Sequence, residues 1–220
     1  MKVKSIILLV VMISGMLASV IKPSISVAEA THVEGHIVQD TVWTLTDSPF
    51  VVIRDVTVES NVTLTIEPGV EVRFGGNFSL IVEGRLCAKG MEEKPIAFTS
   101  NKLQPEEGDW ETIKFNGTQL STLEYCLIKY AKNGTAIENG NVLISRSEIS
   151  YSLQNGVYIV GYNDVTITES RIDNNQNGIL IAGNSSGVNI AQNIICTNNQ
   201  TGIRLSTTNI TQVDDTKILS

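Results

Sequence analysis

The sequence has few aromatic residues, few cysteines and no excess of positive charge, and each shortage excludes a class of protein. Aromatic residues make up 5% of the chain and charged residues 18%, which excludes a large aromatic core and a highly charged disordered chain. Three cysteines allow at most one disulfide, so a disulfide-framework protein is excluded. The formal net charge of −7, without a basic cluster, repels nucleic acid, and we expect no nucleic-acid partner.

The N-terminus has the order of segments that is typical of a secretory signal. Two lysines precede an uncharged apolar run over residues 6–20, and Ala28 and Ala30 occupy positions −3 and −1 of a cleavage site before Thr31. We therefore predict a signal peptide over residues 1–30 and a secreted, extracellular or cell-surface location. The alternative is an uncleaved membrane anchor, which would be the only attachment to a membrane that we predict.

Export would make the Asn-x-Ser/Thr sequons of the chain candidates for N-glycosylation. There are seven of them, at Asn61, Asn77, Asn116, Asn133, Asn184, Asn199 and Asn209. The alternative is that these asparagine and threonine residues are present because they suit turns and strands.

A repeat of 21–24 residues dominates the rest of the sequence. Asn-Gly pairs begin at Asn133, Asn155 and Asn177, at spacings of 22 residues, and Thr201-Gly202 follows at a spacing of 24. A short apolar segment with alternating inward and outward residues follows each pair, and two further alternating segments complete the repeat. Three strands in so few residues leave no room for a crossover helix, and no helical apolar stripe occurs after residue 30.

A coil of three strands, with successive coils hydrogen-bonded in parallel, satisfies this repeat. Equivalent residues then stack into columns along the coil axis, with isoleucine or leucine in the inward columns. We interpret the Asn-Gly pairs as sharp bends, because both residue types tolerate left-handed backbone angles. A second inward column holds small or polar residues, which need partners one coil away. This column contains Cys126, Ser147, Ser170 and Asn193.

The same register places two pairs of opposite charges on the outside of the coil. Arg146 lies one coil from Glu169, and Glu148 lies one coil from Arg171. We interpret both as surface ion pairs of a solvated face, which contribute little to stability.

Segments between residues 64 and 110 are similar to the opening coils of a known family. They are residues 64–74 (LTIEPGVEVRF), 80–90, 94–100 and 108–110. These segments resemble secreted right-handed parallel β-helix repeat proteins of the pectate-lyase-like superfamily, and the repeats after residue 121 resemble the generic coil of that family. The resemblance covers about residues 40–210. It implies an all-β, right-handed parallel β-helix of about seven to eight coils of 21–24 residues, with three short strands per coil.

The predicted organisation has three parts. A signal peptide over residues 1–30 precedes an N-terminal cap over residues 31–50, and the parallel β-helix covers residues 51–220 without a C-terminal cap. Because each coil of a solenoid buries its edges against the next, an uncapped end predicts fraying or end-to-end self-association. Residues 101–110 are polar and acidic, and we expect them to form a loop that leaves the stack.

The resemblance leaves the function open, because this solenoid carries lyases, hydrolases and surface adhesins. Hydrolysis on its outer surface needs two nearby carboxylates, and the outward column of Ala136, Tyr158, Leu180 and Arg204 contains none. We therefore predict no catalytic residues and interpret the chain as an exported structural or recognition module that binds a glycan or a cell-surface protein. The alternative is a polysaccharide lyase or glycoside hydrolase whose catalytic coils lie outside this segment or are not evident in it.

Four tyrosines are the candidate ligand-binding residues, because exposed aromatic rings stack on sugar faces. They are Tyr130, Tyr151, Tyr158 and Tyr162. The alternative is that these rings fill turns of the coil. No metal site or cofactor is predicted. The acidic residues at 106–111 offer oxygen ligands to Ca²⁺, but they lack the alternating spacing of a calcium loop, which favours a solvated insertion.

Overall fold

The computed structural model of the protein describes residues 29–161, 163–183, 185, 187–206 and 211–219. These residues form 23 β-strands and one 3-10 turn, Leu45–Asp47. The signal peptide predicted over residues 1–30 therefore lies almost entirely outside the described residues. A search of the described residues finds no helix that is long and apolar enough to cross a membrane.

The strands stack into three parallel faces, called A, B and C in the order in which each coil forms them. Face A contains β2 (Thr41–Trp43), β4 (Thr63–Ile66), β7 (Arg85–Lys89), β10 (Leu120–Glu124), β13 (Gly140–Ser145), β16 (Asn163–Thr168), β19 (Val188–Ala191) and β22 (Thr211–Asp214). Face B contains β5 (Glu71–Phe74), β8 (Ile96–Ser100), β11 (Cys126–Lys129), β14 (Glu148–Ser150), β17 (Arg171–Asp173), β20 (Ile194–Cys196) and β23 (Lys217–Leu219). Face C contains β6 (Ser79–Val82), β9 (Thr112–Phe115), β12 (Asn133–Ile137), β15 (Asn155–Val160), β18 (Asn177–Ala182) and β21 (Thr201–Ser206).

Two long strands at the N-terminal end contribute to both face B and face C. β1 (Thr31–Ile37) pairs only with β3 (Phe50–Val58), and β3 then pairs with β5 through its first half and with β6 through its second half. Residues 31–50 thus supply strands that are in register with the coils that follow. Within this segment Trp43 stacks on Phe50 at 4.8 Å between ring centroids, and both side chains are buried.

The core consists of the inward residues of the three faces. On face B, Ile128, Ile149, Ile172 and Ile195 occupy equivalent positions in successive strands, and all four are fully buried. Face A shows the same alternation of buried and partly exposed residues. Like residues therefore stack along the axis at the strand spacing of about 4.8 Å. The predicted columns and the all-β parallel solenoid, with about eight coils counted on face A, are confirmed.

The interpretation of the Asn-Gly pairs as left-handed bends is wrong. Neither residue of these pairs has a positive φ, and they begin strands β12, β15 and β18. Asn155 donates to the Oδ1 of Asn133 at 2.8 Å, and Asn177 donates to the Oδ1 of Asn155 at 3.1 Å, so the asparagines form a ladder. Glycine follows because there is no space for a side chain: a Cβ at Gly178 would lie 2.4 Å from the carbonyl oxygen of Gly202.

Among the described residues, nine of the ten non-glycine residues with a positive φ lie at the two edges of face B instead, and the tenth is Asn61. The corner between faces A and B, here the A/B corner, contains Tyr125, Arg146, Glu169, Gln192 and Asp215, with φ from 43° to 57°. The corner between faces B and C, here the B/C corner, contains Tyr130, Tyr151, Asn174 and Thr197, with φ from 50° to 67°. A residue with a positive φ turns the chain sharply. Because this conformation is sterically unfavourable outside glycine, it costs free energy that the packing of the coils must offset.

The inward polar column is confirmed, and the structure shows how its members are satisfied. The backbone N–H of Cys126 donates to the Oγ of Ser147 at 3.0 Å. The N–H of Ser147 donates to Ser170 Oγ at 3.2 Å, and that of Ser170 donates to Asn193 Oδ1 at 3.0 Å. Each polar side chain therefore accepts a hydrogen bond from the backbone of the preceding coil, which satisfies a buried N–H at the corner.

The insertion at 101–110 leaves the stack only in part. Its last residue, Trp110, is fully buried and stacks on Phe74 at 4.0 Å between ring centroids, while Leu103 is fully exposed. At the other end of the solenoid, apolar residues of the last described coil are exposed although their equivalents one coil earlier are buried. Leu205 is 52% exposed, for example, whereas Ile181 is fully buried.

Candidate functional site

The outer side of face B carries a group of charged and aromatic side chains that form ion pairs, a ring stack and a cation–π contact. We call the outer side of β5, β8, β11, β14 and β17, together with both bordering corners, the face B trough. One outward column along it contains Glu71, Ala97, Leu127, Glu148 and Arg171. A neighbouring column contains Lys129, Ser150 and Asp173.

Two insertions form the walls of the trough, because β8 is preceded by one and followed by the other. Glu92 and Pro95, from the turn before β8, line a groove of about 340 Å³ with Tyr125, Leu127 and Glu148. Residues 101–103 and Pro105, after β8, line a second groove of about 350 Å³ over Ala97 and Thr99. The two grooves thus lie at opposite edges of β8, and the first extends along the solenoid axis over three coils, from Tyr125 past Arg146 to Glu169.

The structure brings together two of the four predicted tyrosines. Tyr130 and Tyr151 stack at the B/C corner, with ring centroids 5.4 Å apart and ring planes 16° apart, and Tyr151 is 38% exposed. Tyr158 lies on face C, where it is in register with Ala136 and Leu180, so it faces away from this pair. Tyr162 lies outside the described residues.

Four charged residues at the centre of the trough form two ion pairs. The Nζ of Lys129 lies 2.6 Å from the Oε1 of Glu148, and Arg171 lies 2.6 Å from the Oδ2 of Asp173. Ser150 also donates to Glu148 at 3.1 Å. Glu148 lies in register with Arg171, but the predicted ion pair between them is wrong, because Glu148 pairs with Lys129 and Arg171 pairs with Asp173.

The pKa values of Glu148 and Arg171 are shifted toward the charged forms. Burial acts to raise the pKa of Glu148, but the hydrogen bond and charge of Lys129, with smaller contributions from Ser150 and Arg171, hold it below its ordinary value. The hydrogen bond and charge of Asp173 raise the pKa of Arg171. Glu148 is therefore ionised at neutral pH and is not poised to act as a general acid.

The opposite edge of the trough has an arginine between two carboxylates. The guanidinium of Arg146 lies 3.0 Å from the Glu124 carboxylate and 3.1 Å from the Glu169 carboxylate, so the predicted ion pair between Arg146 and Glu169 is confirmed. The charge of Glu169 is the largest cause of a raised pKa of Arg146. The guanidinium also lies 5.8 Å from the centre of the Tyr125 ring, within the range of a cation–π contact.

Sequence reasoning missed Asp173, which the structure makes the most buried carboxylate of the trough. Its residue exposure is 3%, its Oδ2 is bound by Arg171, and its Oδ1 has no hydrogen-bond partner. The signal was available, because Arg171 and Asp173 flank the inward residue Ile172 and must both lie outside.

Two carboxylates of the acidic segment, those of Asp109 and Glu111, are engaged by lysines of the chain itself. Asp109 is bound by Lys102, by the Oγ of Ser100 at 2.7 Å and by the N–H of Glu106 at 2.9 Å. Glu111 lies 2.7 Å from Lys132. Within the described ranges, no group of three or more histidine, cysteine, aspartate or glutamate residues could hold a metal ion. The three cysteines are free thiols, and burial raises the pKa of Cys126.

The described sequons fall into two structural groups. Four asparagines are exposed, namely Asn61, Asn77, Asn116 and Asn199. Asn133 instead belongs to the asparagine ladder, where its Nδ2 donates to Gln154 at 3.4 Å and its Oδ1 is occupied by Asn155. Asn184 and Asn209 lie outside the described residues.

Comparison with known proteins identifies the family. Residues 111–220 match the family described as a right-handed β-helix region, which is half of the chain, and the chain belongs to this family. Protein bark beetle of Drosophila melanogaster is 28% identical over 101 residues, which cover 42% of this chain and 3% of that protein. The chain thus spans a small fraction of the length of this relative. No solved structure matches the chain.

Proposed function

We propose that the chain is an exported recognition module that binds a glycan in the face B trough. The observation that carries the proposal is the stacked pair Tyr130 and Tyr151 at the border of the ion-paired centre. Aromatic rings bind the apolar faces of sugars, while carboxylates and guanidinium groups accept from and donate to their hydroxyls. A trough that runs along the axis suits a linear chain of sugars.

The arrangement favours binding over catalysis. Hydrolysis requires one carboxyl group that is protonated near neutral pH and another that is ionised. Glu148 has a lowered pKa, and Asp173 is held by Arg171. Both carboxylates are thus engaged as hydrogen-bond acceptors, a state that suits the binding of hydroxyl groups.

The test is a glycan array with the purified protein, followed by calorimetric titration of the glycans that bind. We expect Tyr151→Ala to weaken binding at least tenfold, because it removes the more exposed ring of the stack. Tyr158→Ala is the matched control, since it removes a tyrosine from face C and should leave affinity unchanged. Equal losses in both variants would contradict the trough as the site.

The same samples test the enzymatic alternative. Assays for new reducing ends and for unsaturated uronates should show no turnover of the glycans that bind. Turnover that disappears in Asp173→Asn, with binding retained, would replace the recognition proposal by a glycoside hydrolase or lyase. Export is tested separately by N-terminal sequencing of the secreted protein, which should begin at Thr31.

A further inference from the structure

Arg85 differs from four other arginines of the solenoid because its guanidinium has no acceptor among the residues that the structure describes. Arg54, Arg73, Arg146 and Arg171 each form an ion pair with a carboxylate. Within the described ranges Arg85 forms none, although it is only partly exposed. Its Nε is buried and has no hydrogen-bond partner. A charged donor left in this state is costly, and such groups call for an explanation in a native structure.

Arg85 lies in a groove that has no carboxylate. The groove has a volume of about 450 Å³ and is lined by Asn61, Thr63, Arg85, Gln119 and Leu120. Thr63 is the register partner of Arg85 one coil earlier. The lining thus combines one cation with a hydroxyl and two amides, whereas the groove at the A/B corner of the trough is lined by three glutamates as well as two arginines.

We infer that this groove binds an oxyanion, that is, a carboxylate, sulfate or phosphate group. The planar guanidinium presents paired N–H donors that match the oxygens of such a group, and the bond is strengthened by charge. Because Nε is closed to solvent, the anion binds through the two Nη groups. The hydroxyl of Thr63 and the amides of Asn61 and Gln119 donate to its remaining oxygens.

The inference goes beyond the proposed function, because the groove lies on face A and at the corner between faces C and A, away from the trough, and its lining has a cation without a carboxylate. The exposed side chain of Leu120, at 52% exposure, gives the rim an apolar surface for the body of a larger ligand. Asn61 is also a sequon, so the protein for the test is produced in a host that does not attach N-glycans.

The experiment is an NMR titration at constant ionic strength, with sodium sulfate, sodium phosphate and a glucuronate-containing disaccharide as probes. We expect the Arg85 Nε–H resonance to shift and saturate with at least one probe. Arg85→Gln should weaken that binding at least tenfold, and Arg85→Lys should weaken it less, because it keeps the charge but loses the fork of donors. Arg204→Gln is the matched control, since Arg204 is exposed and lies on face C.

The probes also distinguish the source of the anion. Saturation with free sulfate or phosphate supports a site for isolated oxyanions, and saturation with the disaccharide alone supports a site for an acidic sugar. Linear shifts that are equal at Arg85 and Arg204, or undiminished binding in Arg85→Gln, would overturn the inference. If Arg85→Gln does not fold, the wild-type titration and Arg85→Lys decide the outcome.

Discussion

Asn175 offers the sharpest test of the idea that buried side chains at the corners hold the coils together. It is fully buried beside the B/C corner, and its amide forms hydrogen bonds in both directions along the axis. Its Oδ1 accepts from the N–H of Ser152 at 2.9 Å. Its Nδ2 donates to the carbonyls of Ile149 and Asp173, at 3.1 and 2.9 Å, and to the Oδ1 of Asn198 at 3.1 Å.

We predict that Asn175→Leu strongly destabilises the protein although leucine has a similar size. The N–H of Ser152 would lose its acceptor in a place that water does not reach, which costs about 1–3 kcal/mol. The lost bonds to the two carbonyls cost about 0.5–1.5 kcal/mol each. Since the added apolar burial offsets part of this, we expect a net loss of ~2–4 kcal/mol in the free energy of unfolding.

The measurement is urea denaturation followed by the fluorescence of the buried residues Trp43 and Trp110. Asn189→Leu is the matched control, because it replaces the same residue type on the outer side of β19, where the asparagine side chain is partly exposed. The control should stay within about 0.5 kcal/mol of the wild type. If the two variants were equally stable, buried amides would not be what joins the coils.

Three further predictions follow from the corners and the trough. Gly178→Ala should cost ~1–3 kcal/mol, because its Cβ would meet the backbone of the next coil, whereas Gly140→Ala, with a nearest contact of 3.4 Å, should change the urea midpoint little. Equal midpoints would contradict this. Folding lowers the pKa of the Glu148 carboxyl group below its ordinary value of 4.5. The ionised carboxylate therefore stabilises the fold at pH values above 4.5, and this stabilisation is lost as the pH falls below 4.5 and through the lowered pKa of the folded state. The stability difference between wild type and Glu148→Gln should therefore shrink on acidification, and a constant difference would refute it. Arg146→Gln should leave the urea midpoint nearly unchanged, since its ion pairs are exposed, and a large fall in the midpoint would show that the A/B corner depends on them.

Much of the fold could be predicted because a solenoid repeats its environment. Each position in one coil has an equivalent in the next, so the periodic residues reveal which side of a strand is inside. The inward column through Ile149 and Ile172 and the polar column through Ser147 and Ser170 followed directly from the spacing. Periodicity was less informative between residues 75 and 111, where insertions interrupt the repeat, and there the sequence did not indicate that Trp110 belongs to the core.

The candidate site was predictable only in part, because a period orders residues along the axis but does not distinguish the corners. Tyr130 and Tyr151 were separated by one coil in the sequence, and the structure stacks them. The sequence did not show that Tyr158 points from another face. Nor did it identify Asp173, whose burial depends on the side chains around it.

The sequence by itself determined the parallel coil, its inward columns and the register between neighbouring strands, because alternation and stacking are local rules that repeat along the chain. The tertiary structure alone decided how the corners turn, which side chains pair and where a cation stays unpaired. Asn133 begins a ladder instead of a bend because the left-handed residue lies three positions earlier, at Tyr130. Arg85 lacks a carboxylate partner because residues from three separate coils, 61–63, 85 and 119–120, form its groove, and no single repeat encodes that combination.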